Sequence, residues 1–228
     1  MSQPILCVDS STDICSVAVM TEEDVLSSMD VSDRRHSSML SVLIKDCLEH
    51  SGIKPTELRA VAIGDGPGSY TGLRVGASTV KGLCYGADIP LVRVSSLETL
   101  AQQYLHADQY VMATIDARRM EAYTAIYDQA GNLQAPVAST IWSEEVIAEL
   151  SQRYEQMSIC GNGIAKASDG FQHLHNIEIR PSEISAADMR IPAWREIHAN
   201  RYIDIAYYSP YYHKAPNITT PTKSPLLS

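Results

Sequence analysis

The sequence predicts an α/β fold made of two similar halves. Short apolar runs bounded by turn residues are typical of buried strands, and here they alternate with segments of helical periodicity. A hairpin with an acid at its tip also occurs twice: Asp9 is followed by Ala18-Val19, and Asp116 is followed by Ala125-Ile126 at the same offsets. This internal repeat indicates two lobes of one architecture.

The first hairpin opens the chain. Its predicted strands run from Ile5 to Val8 and from Cys15 to Met20, and a third strand follows at Val25 to Val31. The loop between the first two strands carries Asp9, Ser10, Ser11, Thr12 and Asp13. Such hydroxyls and acids can hold a phosphate or a magnesium-bound water, but they also form ordinary Asx and Ser/Thr turns. The pattern is compatible with both interpretations.

A helix is predicted from His36 to His50, because apolar residues recur there at intervals of three and four. Gly52 ends this helix and Pro55 supports the stop. Its apolar arc is broad enough to contact a sheet and a second surface. The chain then returns to a strand at Val61, which gives the strand-helix-strand crossover of an α/β domain.

The most informative stretch runs from Val61 to Gly86 and reads VAIGDGPGSYTGLRVGASTVKGLCYG. It predicts a strand, a glycine turn and a helix that begins near Ser69. The turn alone is compatible with tight packing or with close approach of a phosphate. One stripe of the helix suits a core contact: Leu73, Ala77, Val80 and Cys84. A second stripe is small: Gly72, Val75, Gly76, Thr79, Gly82 and Gly86.

The small stripe needs a compensating contact. A glycine inside a helix is less favourable than alanine by about 1 kcal/mol, so several of them predict a close approach by another element. We expect this element to be another helix, from the same chain or from a partner.

The downstream elements continue the alternation. A strand at Pro90 to Val94 precedes a helix at Ser96 to Leu105, and a second unit starts at Tyr110. Within this unit we expect a helix over 143–154, a strand over 157–160 and a helix that begins in 185–189. The segment from Ser209 is rich in proline and hydroxyl residues, which predicts an extended chain that is disordered at its end. The expected division is residues 1–109 for the first lobe, 110–212 for the second and 213–228 for a flexible tail.

Composition, charge and cysteine spacing narrow the range of functions expected for this chain. The 228 residues carry a net charge of −9, so the chain alone is not expected to attract nucleic acid. No apolar run approaches the roughly 20 residues that span a bilayer, and the opening MSQPILCVDSS lacks the basic start of a signal peptide. The five cysteines are scattered without a CxxC pair, which favours reduced thiols in the cytoplasm over disulfides or zinc.

Three strings of residues resemble the TsaB/YeaZ family, the glycoprotease-like proteins of tRNA threonylcarbamoyladenosine biosynthesis. They are ILCVDSSTDICSVAVM, GDGPGSYTGLRVGASTVKGL and IDARRMEAY. The resemblance is dense from Ile5 to about Gly131 and thinner to about Tyr212, and GPGSYTGLR is its most specific part. It implies the actin-like ATPase fold, with two ribonuclease-H-like lobes of which the second is degenerate.

The resemblance also implies a role as a partner protein. In that family the chain pairs through its N-terminal helices with its paralogue TsaD, which transfers the threonylcarbamoyl group, and the pair works with the ATPase TsaE. For this chain the implied partners are therefore TsaD and TsaE, a second copy through the same helices when it is alone, and tRNA only through the complex, with no membrane. The expected partner-binding residues are Met39, Leu43, Cys47, Gly72, Val75, Gly76, Thr79 and Gly82.

No catalytic, cofactor-binding or metal-binding residue is expected in this chain, and ATP or ADP and a metal are expected only in the partner complex. The catalytic paralogue carries an HxxxH pair on the helix that corresponds to 36–50, whereas here His36 is followed four residues later by Leu40. His50 is too distant to complete a pair. Phosphotransferases of this fold place glycines after the acid of the second hairpin, but Asp116 is followed by Ala117, Arg118 and Arg119.

Two alternatives come from other function classes. The first is a small-molecule kinase or ATPase of the same fold, in which Asp9 and Asp116 would hold magnesium and ATP. The second is a peptidase, for which Ser69 lacks a histidine and an acid at recognisable spacing.

Overall fold

The computed structural model describes residues 2–32, 36–105 and 109–214, with the side chains of residues 36–38 excepted. Two five-stranded mixed sheets form the centres of two lobes. None of the described helices is long and apolar enough to cross a membrane.

The first sheet has the strand order β3-β2-β1-β4-β5. Its strands are β1 (Ile5–Asp9), β2 (Ile14–Met20), β3 (Val25–Ser32), β4 (Ala60–Gly64) and β5 (Leu91–Val94). The first three form an antiparallel meander, whereas β4 is parallel to β1 and β5 is parallel to β4. The predicted meander and crossover are therefore both present.

Helices cover both faces of this sheet. On one face, α1 (His36–Ser51) and α2 (Tyr70–Ala87) pack in a single core with alternate strand residues such as Val8 and Ile63. On the other face, α5 (Arg190–His198) packs against the intervening residues, and Trp194 contributes to that core. Because successive side chains of a strand point to opposite faces, one set of strands supplies both cores.

The second sheet has the order β10-β9-β6-β7-β8. Its strands are β6 (Tyr110–Asp116), β7 (Glu121–Asp128), β8 (Leu133–Ile141), β9 (Met157–Cys160) and β10 (Ile177–Arg180). The first three are again an antiparallel meander, and β9 and β10 are again added in parallel to β6. The internal repeat and the actin-like two-lobed fold are thereby confirmed.

The two lobes differ in their connections. In the first lobe the long helix α2 joins β4 to β5. In the second lobe two short 3-10 turns, Asn162–Ile164 and Ser168–Phe171, join β9 to β10 at the equivalent place. The crossover from β8 to β9 keeps a short helix, α4 (Glu144–Arg153). The second lobe is thus a reduced version of the first.

The division of the chain at residue 109 does not follow the packing. Helix α3 (Ser96–Gln102) buries Leu97 and Leu100 against the second sheet, although it lies in the range expected for the first lobe. Residues 186–197 pack on the first sheet, although they lie in the range expected for the second. Each helix buries its apolar side where a matching sheet face is available, and sequence order does not determine which face that is.

Residues 203–214, which we call the C-terminal strap, cross from one lobe to the other. The strap begins at Ile203, which is bridged to Leu91, and follows α2, where Lys81 Nζ donates to the carbonyl of Tyr208 at 3.1 Å. It reaches β7 of the second lobe, where Lys214 forms an ion pair with Glu121. The expected tail therefore starts as an anchored segment, and residues 215–228 lie outside the described part of the chain.

Candidate functional site

The tip of the first hairpin is closed around Asp9. Its Oδ1 accepts hydrogen bonds from the backbone N–H and the hydroxyl of Ser11, at 2.8 and 2.7 Å. Its Oδ2 accepts one from the Ser96 hydroxyl at 2.8 Å. Asp9 has no exposed surface. Both carboxylate oxygens are therefore occupied by the protein itself.

Burial raises the pKa of Asp9, and the hydrogen bonds from Ser11 and Ser96 oppose that rise. A carboxylate that is removed from water in this way loses hydration, which only its fixed donors replace. Asp9 is thus a buried structural acid in this conformation, and each of its oxygens accepts at least one hydrogen bond from the chain itself.

Glycines of the turn and of α2 seal this tip. An added Cβ at Gly64 would lie 1.9 Å from Asp9 Oδ2, and one at Gly68 would lie 2.1 Å from the carbonyl oxygen of Ser11. In α2, a Cβ at Gly72 would meet the Ser10 carbonyl oxygen at 2.0 Å, and the Ser10 hydroxyl donates to the Gly72 carbonyl at 2.9 Å. The glycine turn is therefore explained by tight packing on the chain's own hairpin, because a phosphate would need the same space.

At Gly72 and Gly76 the element that approaches the small stripe is the hairpin tip of the chain's own lobe. A Cβ at Gly76 would lie 2.4 Å from the Ser10 hydroxyl, so this half of the stripe faces the chain's own lobe. On α1, Leu43 and Cys47 are also core residues: Leu43 is 7% exposed, and Cys47 is fully buried beneath β2 and β3. Gly76, Leu43 and Cys47 are buried in their own lobe, and Gly72 is partly covered by it; partner binding at these residues stays a prediction.

The remaining expected partner residues lie outward. Met39 on α1 is 42% exposed, and beside it on the outer side of the same helix Val42 is 46% exposed. On α2, Thr79 is half-buried, and a Cβ added at Gly82 would meet no atom of the other described elements within 4 Å. Because α1 and α2 are in contact, we consider these outward residues together and call them the outer helix face. Val75 lies at its inner edge, partly buried against the core. Partner binding at Met39, Val75, Thr79 and Gly82 stays a prediction.

The tip of the second hairpin is more exposed to solvent than the tip of the first hairpin. The carboxylate of Asp116 pairs with Lys166 Nζ at 2.8 and 2.9 Å, and its Oδ1 also accepts from the backbone N–H of Arg118 at 2.9 Å. Arg118 and Arg119 both adopt left-handed backbone angles, with φ of 73° and 58°. Gly161 packs on β6, where an added Cβ would lie 2.0 Å from the Thr114 carbonyl oxygen.

The other candidate residues have structural partners or cannot be placed. The side chain of His36 lies outside the described residues, and Leu40 is fully buried. His50 Nδ1 contacts the Asp46 carbonyl within its own helix at 2.7 Å. The Ser69 hydroxyl caps α2 by accepting from the Gly72 N–H at 3.3 Å. Within the described ranges no group of three or more histidine, cysteine or acidic residues could hold a metal ion.

A cavity of about 260 Å³ lies between the lobes, and the sequence did not indicate it. Asp65 and Arg93 line it from the ends of β4 and β5, Val137 from β8, and Arg195 from α5. Asp65 lies within the GDGPGSYTGLR string, which is a local signal. The other residues are far apart in the sequence, and only the packing of α5 and the strap brings them together.

The chain is similar to proteins of tRNA modification. A family model described as "TsaD: tRNA N6-adenosine threonylcarbamoyltransferase" matches residues 25–181. The "tRNA threonylcarbamoyladenosine biosynthesis protein TsaB" of Escherichia coli (strain K12) is 35% identical over 153 residues, which are 65% of this chain and 66% of that protein. The protein of the same name from Bacillus subtilis (strain 168) is 34% identical over 130 residues, 57% of each chain.

A solved structure gives a longer match. YeaZ from Pseudomonas aeruginosa is 27% identical, with a TM-score of 0.78, and the match covers 93% of this chain and 100% of that one. The sequence matches span about half to two thirds of the length of the curated relatives.

Proposed function

This chain belongs to the TsaB/YeaZ family, and on that premise we propose that it is a non-catalytic subunit for the formation of threonylcarbamoyladenosine on tRNA. Its partner in this proposal is a TsaD paralogue, which carries the active site, and the ATPase TsaE acts on the pair. The subunit has no active site of its own.

The closed first hairpin is the observation that carries this proposal. A kinase of this fold would use Asp9 and Asp116 around magnesium and ATP. Here Asp9 is buried with both oxygens hydrogen-bonded, and Asp116 is neutralised by Lys166. The residues present do not fit a metal-bound nucleotide, so no chemical step is assigned to this chain. We expect ATP or ADP and a metal only in the complex with the paralogue.

The outer helix face supports a role in pairing. Met39 and Val42 expose apolar surface on α1, and the open flank of α2 at Gly82 allows a second backbone to approach closely. The net charge of −9 disfavours direct binding of tRNA by this chain alone, so tRNA is expected to be recognised through the complex.

Replacing Gly82 by arginine tests the pairing. Among the described residues, no heavy atom beyond the neighbouring backbone of α2 lies within 4 Å of a Cβ at Gly82, so the monomer has room for the side chain, whereas a docked helix would not leave it room. We expect Gly82→Arg to reduce co-purification with the TsaD paralogue at least about tenfold, and tRNA modification by the reconstituted mixture to fall in parallel. Ala148→Arg, at an exposed position of α4, is the matched control. We expect it to retain both co-purification with the paralogue and tRNA modification.

Two results would contradict the proposal. One is wild-type pairing and modification by Gly82→Arg, which would exclude the outer helix face. The other is tight binding of ATP by the isolated chain in a calorimetric titration, which would favour the kinase alternative. A homodimer in the absence of the paralogue is expected to use the same face, so Gly82→Arg is expected to sediment as a monomer.

A further inference from the structure

We propose that the cavity between the lobes binds a small zwitterion of the α-amino-acid class, with the ligand's carboxylate on Arg93 and its ammonium group on Asp65. This inference goes beyond the role in pairing, since the cavity is lined by the ends of β4 and β5, by α3 and α5, by β8 and by the C-terminal strap. It does not involve the outer helix face.

Asp65 provides a buried carboxylate with one oxygen to spare. The residue is 8% exposed. Its Oδ1 accepts from the Tyr208 hydroxyl at 2.9 Å and from the Tyr211 backbone N–H at 3.3 Å. Among the described residues, no group donates a hydrogen bond to Oδ2, whose ion contact is Arg93 Nη1 at 3.7 Å. This distance is too long for a hydrogen bond, so Oδ2 is available to a donor in the cavity.

Burial raises the pKa of Asp65, although the Tyr208 hydroxyl and the Arg93 charge oppose the rise. Burial therefore disfavours the charged carboxylate more than these contacts favour it. An ammonium group next to Oδ2 would supply both a hydrogen bond and an opposite charge, which is the stabilisation that this carboxylate lacks.

Arg93 provides the complementary cation. A guanidinium has five N–H donors, and in the described part of the chain this one has no acceptor within hydrogen-bonding distance. Its side chain is 64% exposed at the mouth of the cavity. Such a fork is suited to a carboxylate, which can accept two parallel hydrogen bonds.

The other charges in the cavity wall are already matched. Arg195 donates to both oxygens of Glu98, at 2.6 and 3.0 Å. Glu196 accepts from Arg201 at 2.6 and 2.7 Å. These pairs form a rigid charged wall, and Arg93 and Oδ2 of Asp65 remain as the adjacent groups without full partners.

The ligand class follows from this charge pattern. A simple anion at Arg93 would be repelled by Asp65, and a simple cation at Asp65 would be repelled by Arg93. A zwitterion satisfies both groups at once. Val94 and Val137 supply apolar wall for a small side chain. The volume of about 260 Å³ lies below the roughly 300–1,000 Å³ of pockets for drug-sized ligands, which favours a small ligand.

Thermal unfolding of the full chain tests the cavity. The probes are L-alanine and L-threonine, and acetate and ethylammonium at equal ionic strength serve as single-charge controls. For a Kd of about 1 mM, about 10 mM amino acid is expected to raise the melting temperature by roughly 3–5 °C. Acetate and ethylammonium are expected to give no rise. Titration calorimetry with the same probes measures binding directly.

Two variants locate the site. Arg93→Gln changes an exposed side chain, so the variant is expected to fold and to lose the temperature rise. Asp65→Asn is expected to lose it as well. The matched control Arg153→Gln, at the last residue of α4, is expected to keep it.

The proposal is overturned by any of three results: no rise in the wild-type protein, an equal rise in Arg93→Gln, or an equal rise with acetate alone. Pairing of the wild-type chain with the TsaD paralogue is measured separately without amino acid. A failure there affects the proposed function and leaves the cavity result unchanged.

Discussion

The two acid-tipped hairpins occupy equivalent positions in sheets of the same topology, but their surroundings differ. Asp9 is fully buried and hydrogen-bonded to Ser11 and Ser96. Asp116 is partly exposed, with 36% of its side-chain surface accessible, and it pairs with Lys166. One acid is part of a core and the other lies at a surface.

The connections after the fourth strand of each sheet account for this difference. In the first lobe α2 begins beside the hairpin, and its glycines lie directly on Ser10 and Ser11. In the second lobe 3-10 turns take the place of that helix, and Asn162 and Lys166 reach the hairpin from them. The close fit of α2 therefore makes the tip of the first hairpin part of a packed interface, although its residue types are also suited to binding a ligand.

Gly72→Ala is the variant with the largest expected effect, because it breaks the closed hairpin directly. The new Cβ would lie 2.0 Å from the carbonyl oxygen of Ser10, which is backbone and cannot move aside cheaply. We expect the free energy of unfolding to fall by about 3 kcal/mol, measured by urea denaturation. A stability equal to that of the wild-type protein would show that the hairpin and α2 are not tightly packed.

Asp9→Asn is the second test, and its effect depends on pH. Burial raises the pKa of Asp9 in the folded state above the value of about 3.9 expected in the unfolded chain. The folded protein therefore binds the proton more tightly, and ionised Asp9 destabilises it as pH rises through this window. Asparagine stays neutral and keeps an acceptor for Ser11. Other titrating groups are common to both proteins and cancel in the difference.

We therefore expect the stability of Asp9→Asn relative to the wild-type protein to increase as pH rises from about 4, and to level off above the folded pKa. Denaturation of both proteins across this range measures the difference. A relative stability that falls with increasing pH would mean that the hydrogen bonds outweigh burial at this carboxylate.

Much of the closed hairpin was predictable from the sequence, because its signals are local. The apolar runs of β1 and β2, the polar tip and the glycine string each lie within a few residues. The repeat of the hairpin predicted the second lobe. The direction of the small stripe was not predictable, since Gly72 and Gly82 have the same local pattern and differ only in what lies opposite them.

The long-range packing could not be read from the sequence. Whether α3 packs on the first or the second sheet depends on which apolar face remains uncovered, and both sheets have suitable faces. The same holds for α5 and the C-terminal strap, which close the cavity at Asp65 and Arg93 from positions more than a hundred residues away in the chain.

Gly82→Ala tests an open position of α2, in contrast to the closely packed position at Gly72. Unlike Gly72, this glycine has no neighbour from another element within 4 Å of an added Cβ in the part of the chain that the structure describes. Alanine has a higher helix propensity, so we expect the free energy of unfolding to rise by about 0.5–1 kcal/mol. A loss of stability would mean that the outer helix face is covered by another part of the chain.

Asp116→Ala has the smallest expected effect and tests the open hairpin. The ion pair with Lys166 is more than one-third exposed on both sides, so water and salt screen it. The N–H of Arg118 loses its acceptor, but it lies at an exposed turn where water can replace that bond. We expect a change of about 0.5 kcal/mol or less in the free energy of unfolding, and a smaller one in high salt.

Lys166→Met is the matched control for Asp116→Ala, since it removes the other partner of the same ion pair. If the pair is only a surface contact, the double variant is expected to equal the sum of the two single variants to within about 0.5 kcal/mol. A larger coupling, or a loss comparable to that of Gly72→Ala, would show that the second hairpin is held as tightly as the first. The packing of α2 would then not explain why Asp9 and Asp116 differ in exposure. The explanation would have to come from the residues next to each acid.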